Sequence, residues 1–150
     1  MRIVAQRVKR ATVSVESKMV GEIKTGLLLF VGVEEADTME DVEWLAKKMV
    51  NMRVFNDENQ QMNFSVKEVE GEILTVSQFT LHAATKKGNR PSFMRAAAPS
   101  KAEKLYEQLK LQLSALMGKN CPSGKFGANM QVELLNDGPV TIIIDSQNRE

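Results

Sequence analysis

The sequence predicts an α+β fold in which two main helices pack on a curled, largely antiparallel sheet or barrel. Strand-like runs of alternating or continuous apolar residues occupy most of the chain. Only two segments repeat their apolar residues at helical spacing. The order is strands, helix, strands, helix, strands, without a repeat or an interdomain linker, so residues 1–150 are expected to form a single domain.

The first part of the chain is predicted to consist of neighbouring strands. The runs RIVAQRV and ATVSVES alternate apolar and polar residues, which is typical of half-buried strands. MVGEI continues them after a turn near Lys18. The run TGLLLFVGV is almost entirely apolar, so we expect a central strand that is covered on both faces.

The segment DTMEDVEWLAKKMVNM predicts the first helix. Asp37 or Thr38 is suited to cap its start, and acidic residues occupy the first turn. The residues at helical spacing that form its buried stripe are Val42, Leu45, Met49 and Met52. The methionines are interpreted as core residues.

The middle of the chain predicts more strand, in RVFND and VKEVEGEILTVSQFTL, and then an irregular segment over residues 82–98. A second helix is predicted from Ser100, with SKAE as a capping box and Gly118 as its end. Its buried stripe consists of Leu105, Leu109, Leu113 and Leu116. Two final strands, MQVELL and VTIIID, flank NDGPVT, which spacing alone predicts to be a turn.

Composition and charge narrow the class of protein. Hydrophobic residues make up 43% of the chain and the net charge is +1, so a nucleic-acid contact requires a local basic patch. The single Cys121 excludes an intrachain disulfide, and no run is apolar and long enough for a secretory signal or a membrane span. We therefore expect a cytoplasmic protein without a membrane partner. The single His82 excludes a multi-histidine metal site.

The polar stretch SQFTL, residues 77–81, follows the apolar strand EILTV. One interpretation is a strand end whose hydroxyl groups are satisfied locally. The other is a site at which main-chain N–H groups bind an oxyanion. Thr80 would act as a nucleophile only with a base beside it, and His82 is interpreted as an exposed loop histidine.

Basic residues are concentrated in one segment. Residues 86–110 contain seven Lys or Arg against two Glu, whereas the rest of the chain is net acidic. For residues 101–110 a solvated helix face is favoured; for residues 86–95 a ligand-contacting loop and a plain surface loop are both open. In GKFGANM the two glycines permit close approach, and spacing alone favours core packing for Phe126 and Met130.

Two stretches resemble the signature motifs of the D-aminoacyl-tRNA deacylases, namely SQFTL at 77–81 and NDGPVT at 136–141. MRIVAQRV, KKGNRPSF, KFGANM and the closing strand also resemble that family in order and spacing, so the similarity covers essentially the whole chain. The resemblance implies a homodimer, without metal or cofactor, that hydrolyses the ester between a D-amino acid and the terminal adenosine of tRNA. Glycine mischarged on tRNA-Ala is a further implied substrate, whereas no DNA partner is expected.

The same resemblance implies roles for individual residues. Gly138 and Pro139 would form a cis dipeptide that enters the partner subunit's pocket, where its carbonyls bind the substrate's α-ammonium and an L side chain clashes. Proline makes a cis bond accessible at about 0.5–1 kcal/mol, against about 2.5–4 kcal/mol for other residues. The opposite, catalytic wall would consist of Ser77, Gln78, Phe79 and Thr80.

Further roles concern the nucleic acid. Phe126 and Met130 would hold the terminal adenine, and Arg7 would brace the Gly-Pro segment. The acceptor-stem phosphates would meet Lys86, Lys87 and Arg90. Because the sequence gives Thr80 no obvious base, we favour attack by water assisted by the substrate's 2′-hydroxyl. Two alternatives stay open: a non-catalytic RNA-binding module, and a small-molecule hydrolase that uses Thr80 with His82.

Overall fold

The first strand, β1 (Arg2–Val15), organises the sheet, and the computed structural model describes all residues from 1 to 150. One edge of β1 pairs antiparallel with β2 (Lys18–Ile23) and β3 (Gly26–Gly32). RIVAQRV and the ATVSV part of ATVSVES therefore belong to one continuous strand, and Glu16 and Ser17 form the turn to β2. Because β1 alternates buried and partly exposed residues over most of its length, its period-two pattern was a sound signal for a strand.

The remaining strands complete a mixed sheet. β6 (Glu72–Ser77) pairs with β3, and these two form the one parallel strand pair of the sheet. The final strand, β7 (Gln131–Asp145), pairs antiparallel along the other edge of β1. A separate small hairpin consists of β4 (Phe55–Asn56) and β5 (Met62–Phe64). The predicted α+β class, with a curled and largely antiparallel sheet, is confirmed.

The two helices lie where the apolar periodicity predicts them. α1 (Met39–Asn51) begins after Thr38, whose N–H donates to Asp41 Oδ2 at 2.8 Å. α2 (Pro99–Met117) ends at Gly118, which adopts a left-handed conformation with φ of 69°. The helices pack on each other, and with one face of the sheet they enclose the main hydrophobic core of 25 buried residues. Neither helix combines the length and apolarity that crossing a bilayer requires.

Three local predictions were wrong. The capping box from Ser100 does not form, because α2 starts one residue earlier, at Pro99, with Ala98 as its N-cap. VKEVEG is a turn rather than strand, since Val69 and Glu70 N–H groups bond back to carbonyls four and three residues before them. The third is the turn predicted at NDGPVT, because that stretch lies within β7.

A buried tyrosine joins α2 to the sheet. The hydroxyl of Tyr106 donates to the main-chain oxygen of Thr75 at 3.0 Å and lies 3.2 Å from its Oγ1. Burial raises the pKa of Tyr106 to about 12, against the smaller opposing effect of the hydrogen bond with Thr75. The neutral phenol is therefore the form that the folded protein stabilises.

We expect Tyr106, the only tyrosine of the chain, to ionise near pH 12 in the folded protein and near pH 10 once unfolded. Its folded pKa lies above the unfolded value, so the stabilisation is complete below pH 10 and is lost as the pH rises towards 12. Ultraviolet phenolate absorbance measures the titration directly. A Tyr106→Phe control removes the signal, and a native titration near pH 10 would contradict the expectation.

Candidate active site

A cavity of about 690 Å³ opens at the ends of β3 and β6. This volume is within the range of small-ligand sites. Its walls come from the last residues of β6 and the turn after it, from the start of α2, and from residues 126–132. Most lining residues are apolar, and the polar ones include Ser77, Gln78 and Asn129. The arrangement suits a flat apolar group with a few polar contacts at the mouth.

The turn after β6 positions the residues of SQFTL. β6 ends at Ser77, and the Gln78 N–H donates to the Val31 oxygen at 2.7 Å. Phe79–His82 then form a short 3-10 helix in which Phe79 and Thr80 are exposed. The first N–H groups of a helix have no acceptor within it, so those of Phe79 and Thr80 lie where an incoming oxygen can reach them. Ser77, Gln78 and Phe79 line the cavity, and Thr80 adjoins it.

Thr80 has no base beside it. Its Oγ1 accepts a short hydrogen bond from the Gln78 side-chain amide. His82 is only 1% exposed, so the prediction of an exposed loop histidine was wrong. The 3-10 helix turns this side chain inward against β3, where a Cβ on Gly32 would lie 3.0 Å from the imidazole ring. Neither ring nitrogen of His82 has a hydrogen-bond partner, so no Thr80–His82 pair forms.

Aromatic residues form the floor and the rim of the cavity. Phe126 and Met130 are half-buried and line it, so they pack against the core and also face the open space. The Phe126 ring lies 5.9 Å from that of Tyr106. At the rim, Phe79 and Phe93 stack edge to face with centroids 5.1 Å apart, and Phe79 is 57% exposed. The rim thus presents a flat apolar surface to a ligand.

A basic loop stands beside this rim. Paired hydrogen bonds between Ala84 and Ser92, at 2.8 and 2.9 Å, close the loop at its base. Within it, Lys86, Lys87 and Arg90 are exposed and take part in none of the ion pairs of the molecule. The prediction of irregular structure before α2 is confirmed, and the three charges are available to an anionic partner.

NDGPVT is not a turn between two strands. β7 runs through it in one direction and pairs with β1 on both sides. Asn136 pairs with Val8 and Thr141 with Gln6, so residues 137–140 stand opposite Arg7 alone. We call residues 137–140 the Gly-Pro bulge. Such an insertion breaks the ladder and bends the strand outward.

The conformation of the Gly-Pro bulge places its middle in solvent. Gly138 and Pro139 are exposed, the peptide bond between them is cis, and Val140 is buried in the main core. Gly138 has φ of 129°, and a Cβ there would lie 3.0 Å from Arg7 Nη2. Glycine is therefore required both by its backbone angle and by the lack of space.

Arg7 braces the Gly-Pro bulge from behind. Its Nε donates to the main-chain oxygen of Asp137 at 3.1 Å, and its Nη1 donates to the Val54 oxygen at 2.6 Å and to Asn56 Oδ1 at 3.2 Å. The side chain is 7% exposed. The brace that the resemblance implied for Arg7 thus has a geometric basis, and the β4–β5 hairpin supplies part of it.

Arg2, a residue that sequence reasoning missed, ties the turn after β6 to β7. Its Nη1 donates to the Leu81 oxygen at 2.8 Å, and its Nη2 bonds Asp145 Oδ2 at 2.8 Å. Burial acts to raise the pKa of Asp145, but the Arg2 hydrogen bond and others outweigh it and hold that pKa below its usual range. Arg2 gave no sequence signal, because its partners are far away along the chain.

The cavity and the Gly-Pro bulge are separate features of one chain. No residue of 136–141 lines the cavity. Apart from Thr80, which adjoins the cavity, and the three cations of the basic loop, the sequence-predicted residues therefore fall into two groups. One is the wall made by Ser77, Gln78, Phe79, Phe126 and Met130; the other is the exposed Gly138–Pro139 pair with Arg7 behind it.

Comparisons with known proteins agree with this architecture. The profile of the D-Tyr-tRNA(Tyr) deacylase family matches residues 4–145. Proteins named D-aminoacyl-tRNA deacylase from Flavobacterium psychrophilum and Akkermansia muciniphila are 53% and 56% identical, with 100% of each chain covered.

Two solved structures also resemble the chain. The c-Myc DNA Unwinding Element Binding Protein has a TM-score of 0.90 and 40% identity, with 97% of this chain and 98% of that chain covered. A probable eukaryotic D-amino acid tRNA deacylase shares the fold, with a TM-score of 0.81, 18% identity, and 95% and 97% of the two chains covered. The chain belongs to the D-Tyr-tRNA(Tyr) deacylase family, whose members are hydrolases.

Proposed function

We propose that this protein hydrolyses the ester of D-aminoacyl-tRNA and releases the free D-amino acid and tRNA. The observation that carries the proposal is the exposed Gly138–Pro139 pair, held by Arg7, in a chain that belongs to a deacylase family. Relatives that are 53–56% identical, and that match this chain over their full length, are named D-aminoacyl-tRNA deacylase. The cavity beside SQFTL supplies the second half of the site.

Handedness is selected by exclusion. The Gly138 and Pro139 carbonyls accept hydrogen bonds from the α-ammonium of the substrate, which fixes the α-carbon against the dipeptide. With the ammonium and the ester carbonyl both held, the side chain of an L-amino acid points into the dipeptide and clashes, whereas that of a D-amino acid points away. Glycine has no side chain to exclude, so glycyl-tRNA, including glycine mischarged on tRNA-Ala, is also hydrolysed.

A substrate can contact both the Gly-Pro bulge and the cavity beside the turn after β6 only if a second subunit supplies one of them. The cavity lining of one chain contains no residue of the Gly-Pro bulge. β7 is an edge strand, and it exposes the apolar side chains of Leu135 and Ile143 on either side of the bulge. A two-fold homodimer that covers this edge would place each bulge in the partner's cavity.

The chemistry takes place at the turn after β6. Water attacks the ester carbonyl while the substrate's 2′-hydroxyl assists, and a tetrahedral oxyanion forms. The main-chain N–H groups of Phe79 and Thr80 stabilise that oxyanion, a contribution of roughly 10²–10³ in rate for each donor. The ester C–O bond then breaks, and the ribose oxygen leaves with the proton that the attacking water gave up, which the 2′-hydroxyl relays. Thr80 lines the site, and its side chain need not form a covalent bond.

The nucleic acid is held by flat and charged groups. Phe126 and Met130 lie in the cavity wall, where they would contact the terminal adenine. The exposed Lys86, Lys87 and Arg90 would meet the acceptor-stem phosphates. A second candidate function, binding of RNA without catalysis, rests on this basic loop alone. It gives no role to the Gly-Pro bulge.

Purified protein is expected to hydrolyse D-Tyr-tRNA at least about 10²-fold faster than L-Tyr-tRNA, because the L side chain meets the dipeptide. Release of labelled tyrosine measures both rates. A chelator is expected to leave the rate unchanged, and equal hydrolysis of the two esters would refute the proposal. Salt-sensitive binding of tRNA without any hydrolysis would instead support the RNA-binding module.

Subunit mixing tests the shared site. Gly138→Ala damages the bulge and Gln78→Leu damages the cavity wall, so each homodimer is expected to be inactive. After unfolding and refolding together at equal amounts, half of the dimers are mixed and each has one intact site, which restores about a quarter of the original activity. Each variant refolded alone is the control. No recovery in the mixed sample, with mixed dimers verified by mass, would place the whole site in one chain.

Charge removal tests the loop. Replacing Lys86, Lys87 and Arg90 with Gln is expected to reduce the slope of log binding constant against log salt by about 0.7–0.9 for each phosphate that the variant no longer neutralises. The rate at saturating D-Tyr-tRNA should stay unchanged, since these side chains lie outside the reacting centre. Arg95→Gln is the matched control, because Arg95 is already paired with Glu34 at 3.2 Å. An unchanged slope in the triple variant would exclude the loop from tRNA binding.

A further inference from the structure

The side chain of Asn136 spans the Gly-Pro bulge from one end to the other. Its Oδ1 accepts a hydrogen bond from the Val140 N–H at 3.1 Å, and its Nδ2 donates to Thr141 Oγ1 at 3.2 Å. Asn136 therefore engages both residues that follow the exposed dipeptide. Neither composition nor motif spacing assigned it a role.

The first of these bonds changes the polarity of the surface offered by the bulge. Pro139 has no N–H group, so the next main-chain donor after Gly138 is that of Val140. This donor is close to the dipeptide, since a Cβ on Gly138 would lie 3.0 Å from the Val140 nitrogen. Because Asn136 occupies it, the stretch from Pro139 to Val140 presents no free N–H group.

An ammonium group needs acceptors and is repelled by the positive end of an N–H dipole. An unoccupied Val140 N–H would place such a dipole beside the Gly138 and Pro139 carbonyls. It would also offer a hydrogen bond to oxygen atoms of the substrate, in competition with the ammonium. A surface that binds ammonium selectively therefore has to remove this donor.

We propose that Asn136 is a specificity-determining positioning residue, which occupies the Val140 N–H so that the main chain from Pro139 to Val140 offers only acceptors to the substrate's α-ammonium. The inference rests on the proposed function and deepens it. It assigns the selection for ammonium to two devices, a proline that lacks a donor and an asparagine that covers the next one.

The bulge has other anchors, so Asn136 can be replaced without losing it. Arg7 holds the Asp137 oxygen at 3.1 Å, and the Val140 side chain is buried in the main core. Thr141 Oγ1 also accepts from the Gln6 amide at 3.2 Å, so it keeps one partner when Asn136 is changed. Three variants separate covering of the donor from simple support.

Asn136→Leu removes both bonds of Asn136, and Asn136→Asp keeps an acceptor for the Val140 N–H. Thr141→Val leaves the Val140 bond intact and removes the bond from Asn136 to Thr141 together with the one from Gln6. Amide hydrogen exchange at Val140 is expected to speed up in Asn136→Leu alone. In that variant the KM for D-Tyr-tRNA should rise about tenfold with kcat nearly unchanged, because the uncovered Val140 N–H weakens the binding of the ammonium by about as much as one charge-assisted hydrogen bond is worth. Asn136→Asp and Thr141→Val should keep a KM within about threefold of the original.

Two results would overturn the inference while the proposed function stands. One is an unchanged KM in Asn136→Leu although Val140 exchanges freely. The other is an equal rise in KM for Asn136→Leu and Thr141→Val, which would indicate mechanical support only. A failure of the unsubstituted protein to hydrolyse D-Tyr-tRNA is a different outcome: it refutes the proposed function, and the role of Asn136 falls with it.

Discussion

The pairing of β7 with β1 around Arg7 is the constraint on which the rest of the structure depends. Both ends of β7 are in register with β1, and the four residues 137–140 stand opposite Arg7 alone. The surplus length has to leave the sheet, and the buried guanidinium fixes where it goes by holding Asp137, Val54 and Asn56. A charged group buried in this way is stable because carbonyl and amide oxygens accept its hydrogen bonds and the Asp137 carboxylate lies 3.4 Å from its Nε.

The Gly-Pro bulge and the turn after β6 are separate parts of the chain, and under the proposed function the first recognises the substrate while the second carries out the reaction. The Gly-Pro bulge offers main-chain acceptors on an edge strand, whereas the turn after β6 stands at an apolar cavity elsewhere on the same chain. Under the proposed function, both parts act through the main chain rather than through ionisable side chains. The only histidine is buried with no hydrogen-bond partner on either ring nitrogen, and Thr80 bonds the Gln78 amide rather than a base. Under the proposed function, the geometry of a two-fold dimer replaces the side-chain chemistry that one subunit lacks.

The side chains that hold the turn after β6 and the Gly-Pro bulge in place come from one strand of the sheet. Arg2 and Arg7 lie on the same strand, β1. Arg2 holds the Leu81 oxygen at the end of the turn after β6, and Arg7 holds Asp137 at the start of the Gly-Pro bulge. One strand thus sets the position of both. Asp145, whose pKa is held low, keeps Arg2 in place and stays ionised under ordinary conditions.

The sequence by itself determined the fold class, both helices and the identity of the central strand, because these depend on the period of apolar residues along a short segment. It also supplied the two motifs, and through their resemblance the expected site residues. It did not determine that NDGPVT lies within one strand, since an Asn-Asp-Gly-Pro run has the local preferences of a turn. The strand continues past this run only because β7 pairs with β1 on both sides of it. It misplaced His82 for a similar reason, because a polar residue near a loop is exposed unless the next layer of structure covers it. Only the tertiary structure decided the partners of Arg2, Arg7 and Asn136. The contacts of Arg2 and Arg7 join residues that are far apart in the chain. The contact of Asn136 with Val140 depends on a bulge that no local sequence pattern predicts.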